Sequence, residues 1–363
     1  MKVWRRLLAA GVLTAMLFTL PGCGSGDVPA SSSGSSGAAS SAAVPEPEPV
    51  VVEPAYYHPL TGVGMDEDLS RLRPVAVMIN DLKAAQPQLG VSQADIIYEM
   101  PAEGGITRMV ALFQSLDGVG NLGSIRSTRA YYLELALGHD ALLVHAGGSP
   151  EAYKDIPAWG VDNMDGVNGG SDAKIFWRDA ERRKTKGYEH SLLTSGEKIQ
   201  EYLDQGHFRT EHKDGYAESL RFRDDGTPRG GTAAGKVSLR FSPYKTAVFN
   251  YDAASGKYLV SQFGEAYIDG NTGEQVGVTN VLALKTRIRL ISGDTAGRMT
   301  ADLTSGGEGM YFCGGQGIPL RWEKASPNDP LVYRTEDGQL LELGRGVSYV
   351  CIYDANSGSL TVE

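Results

Sequence analysis

Apolar and polar positions fall into two different textures along this chain. Between residues 71 and 150, short and nearly continuous apolar runs are separated by polar turns: PVAVMIN (74–80), ADIIYE (94–99), RMVALFQS (108–115) and ALLVHAGG (141–148). Runs of this length, rich in Val and Ile and bounded by turn residues, predict strands, whereas RAYYLELALGH (129–139) carries the spacing of an amphipathic helix. Strands interleaved with helices predict a mixed or largely parallel sheet with helices packed on it. From residue 237 the texture changes: VSLRFS, KTAVFNYD, KYLVSQF, NVLALKTRIRLI, GMYFCGG, LRWEKA, PLVYRT and VSYVCIYD succeed one another across turns such as DAASGK and DGNTGE. That pattern predicts hairpin-linked strands.

The expected fold class is therefore α+β or mixed α/β. An N-terminal α/β domain with a mixed sheet is expected over 56–208 and a smaller, mainly β C-terminal domain over 237–363. Between them, 209–236 is polar and Gly-rich and reads as a linker or irregular excursion. No fixed-period repeat occurs, which sets aside solenoids and propellers.

The start of the chain predicts where this body sits. MKVWRR is basic, and LLAAGVLTAMLFTL is apolar but too short and too closely followed by small residues for a comfortable membrane span, so residues 1–22 read as a signal peptide. Leu20-Pro21-Gly22-Cys23 resembles a lipobox, with Pro21 the one unusual residue type, and makes Cys23 the expected site of lipid attachment. Residues 23–55, Ser/Gly-rich and then Pro/Glu-rich, hold too little apolar surface to order themselves and read as a disordered tether with a mean reach of ~30 Å. No later run is long enough to cross a bilayer as a helix. The expected location is extracytoplasmic, on the outer face of a bacterial cytoplasmic membrane, with the membrane a partner through the lipid on Cys23.

Charge and cysteine content narrow the chemistry. Loss of Lys2, Arg5 and Arg6 with the signal peptide takes the formal charge from −10 to −13 (−10 − 3), which disfavours nucleic acid as a partner. Cys313 and Cys351 remain, both in strand-like runs; they either form a disulfide or stay as two buried thiols. No Gly-x-Ser-x-Gly elbow and no phosphate loop is present. His207, Glu211 and His212 miss the spacing of a helical zinc site, and Asp269–Glu274 reads as a hairpin turn before a calcium loop, so neither metal nor cofactor is called for.

Polar residues at strand ends and in the loops between them form the candidate site. Asn80, Glu99 and His145 sit at the ends of three predicted strands, where ligands bind in open α/β sheets. Gly147, Gly148 and Ser149 follow, with Ser149-Pro150-Glu151 reading as a capped helix start that serves either architecture or an anion. Arg108, Arg126 and Arg129, near Glu99 and Glu103, form either a salt-bridge lattice or an anion site, since guanidinium groups grip carboxylates and phosphates with two hydrogen bonds. Ser127 or Ser149 with His145 or His190 would be the elements of a hydrolase, but nothing in their spacing demands one.

The stretch RPVAVMINDLKAAQPQLGVSQADIIYEMPAEGGITRMVALFQS, continued through GSIRSTRAYYLELALGHDALLVHAGGSPEAY and IFWRD, resembles the YerB-like bacterial lipoproteins. The resemblance covers about 57–200, and the segment from about 235 is similar to that family's C-terminal domain. It implies lipid attachment and a mixed α/β domain followed by a β-rich one, and it implies no known biochemical activity. Ser124, Ala130 and Ser191 depart from the family pattern. Arg126, Ser127, Arg129, His145, Arg178 and His190 match it and are expected to line one cleft. The leading expectation is a binding or scaffolding lipoprotein of the cell envelope, more a binding protein than an enzyme, with an anionic or hydroxyl-rich envelope ligand. The alternatives are an envelope-directed hydrolase or transferase, and a module that binds a partner protein through its β-rich domain.

Overall fold

A computed structural model describes residues 53–363; the signal segment, Cys23 and the tether up to residue 52 lie outside the described residues. The apolar runs form Val75–Asn80 (β1), Ile96–Pro101 (β2) and Thr107–Phe113 (β3), with β3 antiparallel to both of its neighbours, β2 and β1. Leu142–His145 (β4) pairs in parallel with β1, and Asn163–Asp165 (β5) in parallel with β4.

The same sheet continues into the C-terminal half. Asn280–Thr286 (β6), Gly307–Cys313 (β7), Gln316–Glu323 (β8) and Ser348–Asp354 (β9) continue it in the order β8-β7-β6-β9-β2-β3-β1-β4-β5, and the short strands Thr232–Ala233 and Val332–Thr335, both paired with β8, bring it to 11. The seam between the halves is the parallel pair β9–β2, from Ser348 opposite Ile96 to Cys351 opposite Glu99. Adjoining two backbone ladders in this way makes the halves share hydrogen bonds as well as apolar contacts.

Both faces of the sheet are covered, which is why its strands read as continuous apolar runs. Val77, Ile79, Ile97 and Met109 point to one face, and Met78, Tyr98, Met100 and Val110 to the other. The first face packs on a six-stranded antiparallel sheet that includes Lys236–Ser242, Lys245–Asp252, Lys257–Gln262 and Ser359–Val362, and on the helix Gly196–Leu203. On the second face lie Ala130–Gly138 (α1) and Pro150–Trp159 (α2). Ser149 caps α2 as expected, accepting from Ala152 N, with Pro150 at the first helical position.

One expectation needs correction, and one open alternative is decided. The helix α1 is not amphipathic in its setting, because Tyr131 through Gly138 are all buried. Tyr131 and Tyr132 donate to Pro101 O and Met100 O at 3.0 and 2.9 Å, while Lys324 Nζ, from the C-terminal half, donates to Glu134 O at 3.0 Å. The disulfide is also excluded. Cys313 and Cys351 are both free and buried; they lie on β7 and β9 with β6 between them, and they face opposite sides of the sheet. Two strand spacings amount to ~10 Å, beyond the ~7 Å that a disulfide can bridge.

Residues 209–236 run over both halves. Arg209 pairs with Asp140 at 2.7 Å, Leu220 is buried, and Arg221–Arg223 pairs in parallel with Glu342–Gly344. The turn at Asp269 reaches the other way: its carboxylate accepts from Gly90 N, Ser92 N and Ser92 Oγ at 2.7–3.1 Å.

Candidate functional site

The strand-end residues separate by face. Strand alternation sends Asn80, Arg108 and His145 toward the face that carries α1 and α2, and Glu99 with Ile97 toward the opposite one. The expectation that Glu99 lies beside Arg108, Arg126 and Arg129 is corrected: it belongs to a different constellation, with Lys245 and Tyr349.

On the helical face, Glu103 is the hub. One carboxylate oxygen accepts from Arg108 at 2.6 Å and from Arg129, and the other accepts from Arg129 Nε at 3.2 Å. Arg108 and Arg129 expose only 3% and 7% of their side chains and also donate to Ser127 O and Thr128 O. Burial alone would raise the Glu103 carboxyl, but the two guanidinium groups outweigh it and hold the group down at about 2. One carboxylate here serves two guanidinium groups, and Arg108 Nε stays buried without a partner.

His145 is committed as well. Its Nδ1 donates to Gly147 O at 2.9 Å and its Nε2 lies 3.0 Å from Asn163 Oδ1, in full burial. Ser127 Oγ donates to Ala146 O at 2.9 Å, and Ser149 Oγ serves as the cap of α2. Neither hydroxyl bonds to a histidine. Gly147, at φ +79°, donates its N–H to Asp165 at 2.7 Å, so the turn after β4 is filled from within the protein. At the outer edge, Asn80 Nδ2 donates to His190 Nδ1 at 2.9 Å, and burial followed by the nearby Arg126 charge lowers the His190 pKa. Arg126 reaches Glu189 O at 3.1 Å, and Arg178 stacks 3.5 Å from the centre of the Tyr188 ring. Arg126, Arg178 and His190 are brought together at this partly exposed rim; Gly148 borders it through its bridge to Thr128.

The opposite face holds a cluster whose partners the sequence does not announce. Lys245, first residue after the turn Pro243-Tyr244, places Nζ 2.7 Å from Asp81 Oδ2 and 3.3 Å from Glu99 Oε1, with side-chain exposures of 2%, 0% and 0%. Thr107 Oγ1 lies 2.7 Å from the same Asp81 oxygen and 2.8 Å from the same Glu99 oxygen, and Tyr349 OH donates to Glu99 Oε2 at 2.6 Å. A hydroxyl carries one hydrogen, so Thr107 satisfies both carboxyls only if one of them is protonated and donates to it. Glu99 is that one: burial, opposed by Lys245 and reinforced by Asp81, pushes it up to about 8. The signal in the sequence was an acid inside the apolar run IIYEMP, because a buried charge requires a partner.

A third feature is concave and open. Tyr57, His212, Tyr216, Leu220, Phe222 and Arg345 line a groove of about 460 Å³. His212 and Tyr216 stack at 3.9 Å and 13°, and Arg345 lies 4.2 Å from the Tyr57 ring centre. Glu218 closes the floor, accepting from Tyr216 OH at 2.8 Å; burial raises its carboxyl, but the His139 contact and Tyr216 prevail and hold it near 2. The groove volume falls in the range of small-ligand sites.

Comparison with known proteins agrees with this architecture. The N-terminal domain of a protein family of unknown function, DUF3048, matches residues 60–209, and its C-terminal domain matches 237–350. A Bacillus subtilis (strain 168) protein named "Putative lipoprotein YerB" is 31% identical over 306 residues, covering 84% of this chain and 88% of the relative. The crystal structure of YerB protein from Bacillus subtilis superimposes with a TM-score of 0.72 at 29% identity, covering 84% of this chain and 99% of that one. These matches span both halves of the shared sheet, and the chain belongs to the YerB-like lipoprotein family of α+β proteins with N- and C-terminal DUF3048 domains.

Proposed function

We propose that this protein is a non-enzymatic binding lipoprotein of the cell envelope that holds a hydroxyl-rich polymer, such as a wall glycan, in the groove lined by Tyr57, His212, Tyr216 and Arg345. The observation that carries this reading is the stacked His212–Tyr216 pair facing an open groove beside a cation-capped tyrosine. Aromatic faces receive the C–H faces of sugar rings, while the Arg345 guanidinium meets hydroxyls. The location rests on the predicted lipid at Cys23, which would keep the body within a tether length of the membrane.

The strand-end cleft is the weaker place for a ligand, because Arg108 and Arg129 are buried and bonded to Glu103 and to backbone carbonyls. Only its rim retains a lightly engaged cation, Arg126, whose contact with the Glu189 carboxylate is 3.5 Å. That rim supports a second reading, an anionic teichoic-type polymer. A hydrolase built on Ser127 or Ser149 has little to recommend it, since both hydroxyls bond elsewhere.

Isothermal titration of the body with purified glycan strands and with teichoic polymer separates the two readings. Under the groove reading, Tyr216→Ala weakens glycan binding about tenfold or more, equivalent to about 1.4 kcal/mol, and Arg126→Ala leaves it unchanged. Equal affinities for wild type and Tyr216→Ala, or loss only in Arg126→Ala, would reject the groove.

A further inference from the structure

We propose that Lys245 and Asp81 join through an intramolecular isopeptide bond, Nζ to Cγ, with Glu99 and Thr107 as the proton relay that forms it. The juxtaposition is specific. Lys245 Nζ stands 2.7 Å from Asp81 Oδ2, yet none of its contacts meets hydrogen-bond geometry, and Asp81 Oδ1 is buried without a partner. An amine in contact with a carboxyl to which it makes no hydrogen bond has its nitrogen free to turn toward the carboxyl carbon. The surroundings exclude water. Tyr267 and Tyr349 are fully buried beside the cluster, and the Phe263 ring centre lies 4.6 Å from Nζ. In such a medium the ammonium and the carboxylate are poorly hydrated, and no water competes for the carboxyl carbon.

The reaction balances without any co-reactant. One proton passes from the Lys245 ammonium directly to Asp81 Oδ2. The freed nitrogen lone pair attacks Cγ, forming the N–C bond and moving the carbonyl electrons onto Oδ1. A second proton leaves nitrogen for Glu99 Oε1, 3.3 Å away. Glu99 gives its own proton to Thr107 Oγ1, and Thr107 passes one to Oδ2, along contacts of 2.8 and 2.7 Å. Collapse of the intermediate restores the Oδ1 carbonyl, breaks the Cγ–Oδ2 bond and expels that oxygen with two protons as one water. The product is a secondary amide. Glu99 and Thr107 end as they began, each carrying one proton.

The consequence is a covalent tie between the halves. Asp81 follows β1 in the N-terminal half, and Lys245 opens a strand of the C-terminal half. The hairpin that carries Lys245 is docked independently, through Ser242 Oγ donating to Gly105 O at 2.6 Å, so the amine is delivered to the carboxyl by folding itself. For a body exposed outside the cell, a bond that neither reductant nor reshuffling can break would do the work that Cys313 and Cys351 cannot.

Tryptic peptide mapping of the full chain recovered from membranes tests this. The expected result is a branched peptide in which the fragment ending at Lys83 is joined to a fragment uncleaved at Lys245, lighter than their sum by one water. Lys245→Arg should give only linear peptides, and Glu99→Gln should give linear peptides in a chain whose circular dichroism matches wild type. Cleavage after Lys245 together with a linear Asp81 peptide, in folded wild-type protein, would overturn the bond. A branched peptide undiminished in Glu99→Gln would overturn the relay.

Discussion

Lys245→Met is expected to lower the unfolding free energy of the body by about 3–5 kcal/mol, read by chemical denaturation at neutral pH. The substitution keeps the side-chain length and removes the only cation that faces Asp81 and Glu99 among the described residues. What remains is a buried carboxylate with Thr107 as its nearest donor, and breaking a buried pair costs more than the pair itself is worth, because the surviving charge cannot reach water. Glu99 adds a pH dependence of its own. Its carboxyl is raised from 4.5 to about 8 in the folded protein, so its contribution is full below pH 4.5 and is lost as the pH rises through 8. Glu99→Gln should flatten the stability profile between those values. If the amide between Lys245 and Asp81 has formed, the loss in Lys245→Met exceeds the ion-pair figure, because a long loop is then released in the unfolded chain.

The second large effect is expected at Glu103. Glu103→Ala leaves Arg108 and Arg129 facing each other with side chains 3% and 7% exposed, at a cost of about 3–5 kcal/mol. The sign of its pH dependence is opposite to that of Glu99. A carboxyl held at about 2, below its ordinary 4.5, contributes stability that is complete above pH 4.5 and is lost as the pH falls through 2. Denaturation curves of wild type and Glu103→Ala should therefore converge in strong acid and separate above pH 5. A constant difference across that range would show that Glu103 acts through packing alone.

Local structure was legible in the sequence to the extent that it depends on near neighbours. The runs at 74–80, 94–99 and 108–115 are strands because apolar residues on both faces find cover, and Ser149-Pro150 starts a helix because its cap is local. Pairing across the chain left no such trace. Nothing in VSYVCIYD says that it lies in parallel beside IIYEMP, yet that one pairing merges the halves into a single sheet and brings Tyr349 to Glu99. The mis-assignment of Glu99 has the same root. Alternation places it opposite Tyr98 and Met100 in facing, but only the register of β2 with β3 and β9 shows that this direction leads to Lys245 and away from Arg108. Cys313 and Cys351 look alike in sequence and are parted by an intervening strand. The groove was hidden for a further reason: Tyr57, Tyr216 and Arg345 come from three distant segments, and each alone reads as an ordinary surface residue.

The central claim, that the body binds envelope polymer in the aromatic groove without altering it, is tested most directly by nuclear magnetic resonance mapping. Amide shifts of the isotope-labelled body would be followed as wall glycan fragments are added, and the fragments recovered and weighed by mass spectrometry afterwards. The expected result is saturable shifts centred on Tyr57, His212, Tyr216, Phe222 and Arg345, with fragments of unchanged mass. Shifts confined to the Arg126, Arg178 and His190 rim, no saturable shifts at all, or fragments returned shorter than they were supplied would contradict it.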